Sequence, residues 1–202
     1  MTKDWDKHYR NGGNSGDPND YAKHREFRIK SLDSIIDDNT TVLDLGCGDL
    51  QAWYGKELGK NYTGIDISQT IIERNQKRYP EALFLQCDMD DIELLPGCYD
   101  VVICCDVLFH IMDDYTYART LRFIAERTNK FALAQTLDRN YLNGILPRLM
   151  RLKNTGEFTF RENTTDGVYQ KYRRFEDIPK YFPGFKCESP AAGMYIFRKV
   201  GL

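Results

Sequence analysis

The feature that most constrains the fold is the stretch TVLDLGCGD at residues 41–49. Residues 41–43 form a short β-branched and apolar run, which is typical of a strand buried on both faces. Asp44 follows, and then Gly46-Cys47-Gly48, where two residues without a Cβ let the backbone turn tightly and approach a ligand. The residues after Asp49 predict a helix. Strand, glycine turn and helix therefore occur in the order of a mononucleotide-binding unit.

A second strand-like run, YTGI at residues 62–65, ends at Asp66, which lies 20 positions after Gly46. A carboxylate about 20 residues beyond such a turn commonly accepts hydrogen bonds from ribose hydroxyls. The spacing therefore indicates a site for an adenosine-bearing cofactor.

The residues around the glycine turn distinguish between cofactors. A dinucleotide site needs a third small residue where this chain has Gln51, and a phosphate-binding loop needs a lysine that the turn lacks. Asp44 and Asp49 flank the turn, and two carboxylates would repel a pyrophosphate. The same two carboxylates would attract the ammonium and sulfonium groups of S-adenosylmethionine (SAM).

Four ordered segments carry a family resemblance: VLDLGCGD, YTGIDIS, LQCDMDD and YDVVICCDVLFHI. They span most of residues 41–137 and resemble the class I SAM-dependent methyltransferases of the small, single-domain, small-molecule type. The resemblance implies a Rossmann-like, doubly wound α/β fold whose seven-stranded sheet is mostly parallel, with an antiparallel C-terminal strand. The alternation of strand-like and helix-like segments also predicts a doubly wound sheet.

Hydrophobic periodicity places the remaining elements. It predicts helices over residues 21–36, 68–79 and 114–127, strands over 82–87, 99–105 and 130–136, and a terminal hairpin from 185–189 and 194–200. If Asp106 begins a helical turn after its strand, its side chain and that of His110, four residues later, lean toward the same mouth of the sheet.

The amino-terminal segment has two interpretations. Residues 11–20 are polar and rich in glycine, which is typical of a frayed terminus. Trp5 and Tyr9 are four residues apart, so both rings would face the same way on a helix, and the resemblance implies an aromatic cover over the cofactor. We expect one domain (1–202) with such a lid (1–21), a cofactor-binding core (22–137), a substrate-side insertion (138–184) and a C-terminal hairpin (185–202).

The resemblance assigns the cofactor residues. Asp88 would accept from the adenine amino group and the backbone N–H of Met89 would meet the ring, although residues 88–91 could also form a solvated acidic loop. The spacing of these residues is not that of a calcium loop. The full predicted cofactor set is Trp5, Tyr9, Asp44, Gly46, Cys47, Gly48, Asp66, Ile67, Asp88, Met89, Cys105 and Asp106.

The predicted chemistry is an in-line methyl transfer, in which SAM supplies the activated methyl group and the protein supplies orientation and exclusion of water. A base is needed only when the acceptor must lose a proton early, and His110 is the candidate because imidazoles titrate near neutrality. A core or capping role is the alternative for His110. Asp106 and Tyr9 complete the predicted catalytic set, and Tyr21 and Phe109 join His110 in the predicted acceptor pocket.

Two adjacent arginines, Arg173 and Arg174, are predicted to bind the acceptor. In an extended segment neighbouring side chains point to opposite faces, so one guanidinium could hold a carboxylate or phosphate. A solvated surface pair is the alternative. Between residues 139 and 180 the chain has nine Lys or Arg against five Asp or Glu, a local excess of positive charge.

Composition limits the partners. A formal net charge of −2 gives no global attraction to nucleic acid or anionic membranes, and no window approaches the roughly 18 apolar residues needed to span a bilayer. The charged amino terminus does not resemble a signal peptide, and the six cysteines show no CxxC spacing. We therefore expect a cytoplasmic monomer or homodimer with reduced thiols and no metal site, acting on a small molecule and not on nucleic acid.

Three functions remain open on the sequence. The first is O- or N-methylation of a small, anionic or sugar- or phosphate-containing metabolite. The second is methylation of a protein or RNA that docks on the basic region 139–180. The third is a non-enzymatic binding module, against which the intact glycines and the acidic residues Asp44, Asp66 and Asp88 argue. An enclosed pocket under the lid would favour the first function over the second.

Overall fold

The computed structural model describes residues 4–15, 28–53, 56–136, 158–161, 169–173, 177–191 and 194–201. Its main element is a seven-stranded sheet of order β3-β2-β1-β4-β5-β9-β8. The strands are β1 (Val42–Leu45), β2 (Tyr62–Asp66), β3 (Leu83–Gln86), β4 (Tyr99–Cys104), β5 (Thr128–Gln135), β8 (Phe185–Ala191) and β9 (Met194–Lys199).

The strand directions confirm the predicted fold class. Strands β1 to β5 pair in parallel, while β9 is antiparallel to β5 and to β8. Because the order reverses between β1 and β4, the carboxyl ends of these strands flank a crevice, which is where open parallel sheets bind ligands. Asp66, Asp88 and Asp106 lie at or just beyond the carboxyl ends of β2, β3 and β4.

Apolar cores lie on both faces of the sheet, as a doubly wound arrangement requires. One core packs Leu43 and Val102 against α4 (Asp114–Arg127), through Leu121 and Ile124. The other core packs Ile103 and Leu133 against helices on the opposite face, α2 (residues 28–33) and α3 (Gln69–Arg78), through Leu32 and Ile72.

Side-chain caps set where two helices begin. Ser68 accepts a hydrogen bond from the N–H of Ile71 at the start of α3, and Asp113 accepts from the N–H of Thr116 at the start of α4. A short amino-terminal helix, α1 (Trp5–Arg10), is capped by Asp4. It contacts α3, so the amino-terminal segment is attached to the sheet at the cofactor side.

Two local predictions are wrong. The helix expected after Asp49 is only a 3-10 turn at Gln51–Trp53, because Leu50 adopts φ +61 and the Trp53 indole turns inward to Asp44. Asp106 does not begin a helical turn either. It has φ +58, and the turn that carries His110 starts two residues later, as a 3-10 turn at Leu108–His110.

The predicted substrate-side insertion is described in part. Strands β6 (Phe158–Arg161) and β7 (Tyr169–Tyr172) form an antiparallel hairpin separate from the main sheet. β7 contacts the turn at Leu108–His110. In the described part of the chain, no helix is long and apolar enough to cross a membrane.

Candidate cofactor and acceptor site

The glycine turn is the floor of the candidate site. Gly46 has φ +70, and a Cβ there would lie 2.3 Å from Cγ2 of Val107, beyond the end of β4. Gly48 has φ +52, and a Cβ there would lie 2.3 Å from Oγ of Ser15 and 2.9 Å from the hydroxyl of Tyr9. Both positions therefore require glycine, for backbone conformation and for space.

Asp66 is fixed beneath this turn and is only 7% exposed. One carboxylate oxygen accepts from the Gly48 N–H at 3.1 Å, and the other accepts from the Ser68 N–H at 2.9 Å. Burial raises the pKa of Asp66 to about 6, and these two N–H groups partly offset that rise. Each carboxylate oxygen can accept more than one hydrogen bond, so the group can still receive ribose hydroxyls.

Asp44 is buried on the other side of the turn. Its Oδ2 accepts from Trp53 Nε1 at 2.7 Å and from the Tyr62 hydroxyl at 2.8 Å. Burial raises the pKa of Asp44, while the two donors oppose the rise. Asp44 thus holds the segment after the glycine turn against β2, and its predicted contact with the cofactor stays a prediction.

The amino-terminal segment covers the glycine turn. Tyr9 is 2% exposed, and its hydroxyl lies 2.6 Å from Oγ of Ser15. Ser15 in turn accepts from the Asp49 N–H at 3.2 Å and donates its own N–H to Oδ2 of Asp49 at 3.1 Å. Burial raises the pKa of Tyr9 well above its usual range, so Tyr9 remains neutral at physiological pH.

A second attachment joins α1 to the start of α3. Asp6 Oδ1 accepts from the Ser68 hydroxyl at 2.9 Å and from the Thr70 N–H at 2.8 Å. Arg74 donates to the backbone carbonyl of Tyr9 at 3.2 Å. A carboxylate at a helix amino terminus is favoured by the helix dipole, so Asp6 anchors the cover to the element that follows Asp66.

The predicted adenine side is an open cleft of about 580 Å³ at the carboxyl ends of β2 and β3. Ile67 and Asp88 both line it, so the structure brings these two predicted residues together. The Asp88 side chain accepts from the Asp90 N–H at 3.1 Å, and the carbonyl of Met89 accepts from Arg119 at 3.3 Å. These bonds hold the loop after β3 against α4.

The predicted acceptor side lies beyond β4. Asp106 accepts from Nη2 of the buried Arg28 at 2.7 Å. The His110 ring lies between two aromatic rings, with centroid distances of 5.2 Å to Trp5 and 4.4 Å to Phe109. His110 and the lid residue Trp5 are therefore neighbours in space, although they lie at opposite ends of the cofactor-binding sequence.

The other predicted residues have different surroundings. Cys47 and Cys105 are buried thiols, and burial raises the pKa of Cys105 to about 12, so both are protonated. Arg173 is buried against backbone carbonyls and Asp114. Tyr21 and Arg174 lie outside the described residues, so their predicted roles in acceptor binding stay predictions.

Two polar residues of the site are absent from the predicted set. Among the described residues, the buried Oδ1 of Asp49 and the buried Oε1 of Gln135 have no hydrogen-bond partner. Gln135 ends β5, and its neighbour Ala134 pairs with Cys104 of β4, so Gln135 lies beside the strand end that leads to Asp106. Hydrophobic periodicity does not single out Gln135, because this residue lies near the end of the predicted strand 130–136 and looks like an ordinary strand residue.

No cluster of three or more His, Cys, Asp or Glu that could hold a metal ion occurs within the described ranges. The unpartnered oxygen of Asp49 instead suits a cationic group of a ligand, and the Asp66 carboxylate can accept hydroxyls of the same ligand. SAM has both features, so these residues fit it.

The fold and the residues of this site are those expected of a class I methyltransferase, and a sequence comparison points the same way. Residues 42–130 match the family described as a methyltransferase domain. The chain is therefore similar, over this segment, to the class I SAM-dependent methyltransferases, and its site fits SAM as the methyl donor, with S-adenosylhomocysteine (SAH) as the product of such a transfer. The curated proteins include no match to this sequence.

Solved structures share the fold at low sequence identity. The sugar N-methyltransferase KedS8 from a Streptoalloteichus species is 15% identical, with a TM-score of 0.64 over 98% of this chain and 94% of that one. A SAM-dependent methyltransferase from Clostridium acetobutylicum is 14% identical, with a TM-score of 0.61 over 98% and 96%. The magnesium protoporphyrin IX methyltransferase ChlM from Synechocystis, solved with bound SAM, is 16% identical, with a TM-score of 0.58 over 87% and 79%.

Proposed function

We propose that the protein transfers the methyl group of SAM to an O or N atom of a small polar metabolite, such as a sugar or a phosphate-bearing compound. The observation that carries this proposal is the cover formed by residues 4–15 over the glycine turn, through Tyr9, Ser15 and Asp6. A cover of this kind excludes water from a small enclosed substrate, whereas a polymer needs an open mouth.

The alternative, methylation of a protein or RNA, depends on the basic region 139–180. In the described part of that region, Lys171 and Arg173 pair with Asp114, and Lys180 pairs with Asp177. These internal ion pairs reduce the charge that the region can offer to a polyanion. They favour the small-molecule acceptor.

The proposed roles follow from the site geometry. Asp66, together with Asp88 and Ile67 in the cleft, would hold the adenosine part of SAM, and Asp49 would face its cationic part. His110 would take the proton of an acceptor hydroxyl or ammonium group, with Trp5 and Phe109 orienting its ring. Asp106, fixed by Arg28, would help to orient the acceptor.

Gln135 supports a polar acceptor. Its amide oxygen is buried at the carboxyl end of β5 and has no donor within the described residues, so it suits an acceptor that offers an N–H or O–H group. We expect Gln135→Met to raise the KM for the acceptor about tenfold while the Kd for SAM stays within twofold, because the lost hydrogen bond concerns only the acceptor. Steady-state kinetics and calorimetry give the two constants.

The proposed function is tested by measuring SAH release with a panel of acceptors. The panel contains amino sugars, sugar phosphates, phenols and carboxylic acids, together with bulk RNA and a mixture of unmodified proteins. Turnover of a member of the small-molecule set, lost by more than about tenfold in His110→Gln, is the expected result. Turnover with RNA or protein alone would overturn the proposal.

His24→Gln is the matched control for the histidine variant, because His24 lies in the sequence between Lys23 and Arg25, far from the glycine turn along the chain. Full activity in His24→Gln together with loss in His110→Gln separates a specific effect from a general one. Full activity in both variants would remove His110 from the proposed mechanism and leave the methyltransferase itself intact.

A further inference from the structure

We propose that Arg173 is a positioning residue that fixes the turn carrying His110, and so links the hairpin β6–β7 to the methyl-transfer site. This inference rests on the proposed function of His110. It gives Arg173 a task that differs from the direct acceptor binding expected on the sequence.

The guanidinium of Arg173 holds the backbone directly after the His110 turn. Nη1 donates to the carbonyl of Ile111 at 2.8 Å, and Nη2 donates to the carbonyl of Met112 at 3.4 Å. The turn itself is closed by the N–H of His110, which donates to the carbonyl of Val107 at 2.8 Å. Because a planar guanidinium presents its N–H groups in a rigid fork, it sets the direction in which the chain leaves His110.

Arg173 is itself held in place from two sides. Nε and Nη2 donate to Oδ1 of Asp114 at 3.0 and 2.8 Å, at the first residue of α4. The guanidinium carbon lies 4.0 Å from the ring centroid of Tyr117, one turn further along α4. Arg173 is only 5% exposed, so these contacts form away from bulk water. The guanidinium therefore joins the start of α4 to the exit of the His110 turn.

These bonds leave little of Arg173 for an acceptor. Four hydrogen bonds direct its N–H groups to Ile111, Met112 and Asp114. A carboxylate or phosphate on the acceptor would have to displace them. The other end of the connection is Trp5, whose ring contacts His110, so a line of contacts runs from β7 through Arg173 and His110 to α1.

The test uses nuclear magnetic resonance on full-length protein, where the distance between the Trp5 and His110 rings gives a nuclear Overhauser contact. The chain has three histidines and two tryptophans, so single substitutions assign the signals. In Arg173→Lys, which keeps the charge but loses the fork, we expect the Trp5–His110 contact to weaken at least threefold. The Trp5–His8 contact, with ring centroids 5.6 Å apart, is internal to α1 and should persist as the built-in reference.

Lys171→Gln is the matched control, because Lys171 binds the same oxygen of Asp114 at 2.5 Å, and its substitution leaves the bonds from the Arg173 guanidinium to the carbonyls of Ile111 and Met112 in place. In this variant the intensity of the Trp5–His110 Overhauser contact should equal that of the unsubstituted protein within experimental error. The Kd for SAM should stay within twofold in both variants. Once an acceptor is known, Arg173→Lys should lower kcat about tenfold or more with little change in KM.

An unchanged Trp5–His110 contact in folded Arg173→Lys would overturn the proposal, as would a rise in acceptor KM with kcat unchanged. If Arg173→Lys does not fold, Asp114→Asn weakens the anchor of the same guanidinium and takes its place, with the same two outcomes. The Overhauser contact reports the position of His110 whether or not His110 is a base. Loss of that contact with full activity in His110→Gln would therefore reject the base and keep the positioning role.

Discussion

Asp66 is the residue at which burial and hydrogen bonding oppose each other most directly. Burial raises its pKa to about 6, while the N–H groups of Ser68 and Gly48 act against the rise. The native state then binds this proton more tightly than the unfolded chain does. In the protein without ligand, the contribution of Asp66 to the free energy of unfolding is present at low pH and is lost as the pH rises to about 6.

The affinity for SAM should depend on pH in the opposite direction to the stability, because the ionised carboxylate accepts ribose hydroxyls best. We expect the affinity for SAM to fall about tenfold between pH 7.5 and pH 5, since one unit below its pKa only about a tenth of a carboxyl group is ionised. Isothermal titration calorimetry over this range measures the effect. Asp66→Asn should bind more weakly and lose the dependence on pH. The same dependence in both proteins would show that another group titrates.

Alanine substitutions at Gly46 and Gly97 allow the cost of backbone strain to be distinguished from the cost of a steric clash. Both have a positive φ, +70 and +83, but a Cβ on Gly46 would meet Val107 at 2.3 Å, whereas among the described residues nothing lies within 4 Å of a Cβ on Gly97. We expect Gly97→Ala to cost about 1 kcal/mol in the free energy of unfolding. Gly46→Ala should cost about 1–3 kcal/mol more and should abolish SAM binding, because the turn must move.

Urea denaturation of the two glycine variants, with calorimetry for SAM, provides the comparison. Equal losses of stability would contradict the steric argument, because they would mean that the Val107 side chain moves aside at no cost. Normal SAM binding by Gly46→Ala would show that the turn tolerates the extra atom.

At the scale of elements, α1 depends on its attachments. A helix of six residues is unstable by itself, so its position comes from Asp6 at the start of α3, from Arg74, and from the Ser15–Asp49 pair. The same segment supplies Tyr9 and Trp5 to the site. Opening of α1 is therefore expected to accompany the entry and exit of SAM.

We expect Asp6→Ala to speed the dissociation of SAM several-fold and to increase hydrogen exchange in residues 4–15. The global free energy of unfolding should fall slightly, because the hydrogen bonds from Ser68 and Thr70 to the Asp6 carboxylate are lost. Stopped-flow fluorescence and exchange mass spectrometry measure the two effects.

Asp113→Ala is the control for this variant, because Asp113 also accepts a backbone N–H in the first turn of a helix, that of Thr116 at 2.7 Å, but lies outside α1. It should lower stability by a similar amount with no change in SAM dissociation. Equal dissociation rates in the two variants would contradict the attachment of α1 through Asp6.

At the scale of the whole molecule, the cofactor site and the folded state are linked. SAM would contact the ends of several strands and the covering helix, and such an arrangement exists only in the folded chain. A ligand that binds the native state alone stabilises it by an amount set by its concentration relative to Kd.

We expect SAM at 100 times its Kd to raise the free energy of unfolding by about 2.7 kcal/mol. Asp66→Asn at that same SAM concentration should gain about 1.3 kcal/mol less if its Kd is about tenfold higher, since each factor of ten in Kd is about 1.4 kcal/mol at saturation. Thermal and urea denaturation with and without SAM measure the gain. An absence of stabilisation at that concentration would mean that SAM does not bind the native state in preference to the unfolded chain, and would contradict the arrangement described above.

Much of the fold was predictable because it depends on local patterns. Strands β1 and β2 are buried along their whole length and most of β4 is buried, α4 and α3 are capped by Asp113 and Ser68, and the glycine turn follows β1. The structure of the segment after Asp49 was not predictable in this way, because tertiary contacts determine it. The bond from Trp53 to the buried Asp44 and the positive φ of Leu50 favour a short turn over the local propensity.

The sequence by itself determined the class of fold, the cofactor and the order of the acidic residues along the strand ends, because these follow from periodicity, from spacing and from residues that need no distant partner. Only the tertiary structure decided which residues meet across the chain. Trp5 lies against His110, Asp6 accepts a hydrogen bond from the first turn of α3, and Arg173 binds the carbonyls after His110. Such contacts join segments far apart in sequence, and one sequence carries no local signal for a pairing that only the closed sheet brings within reach.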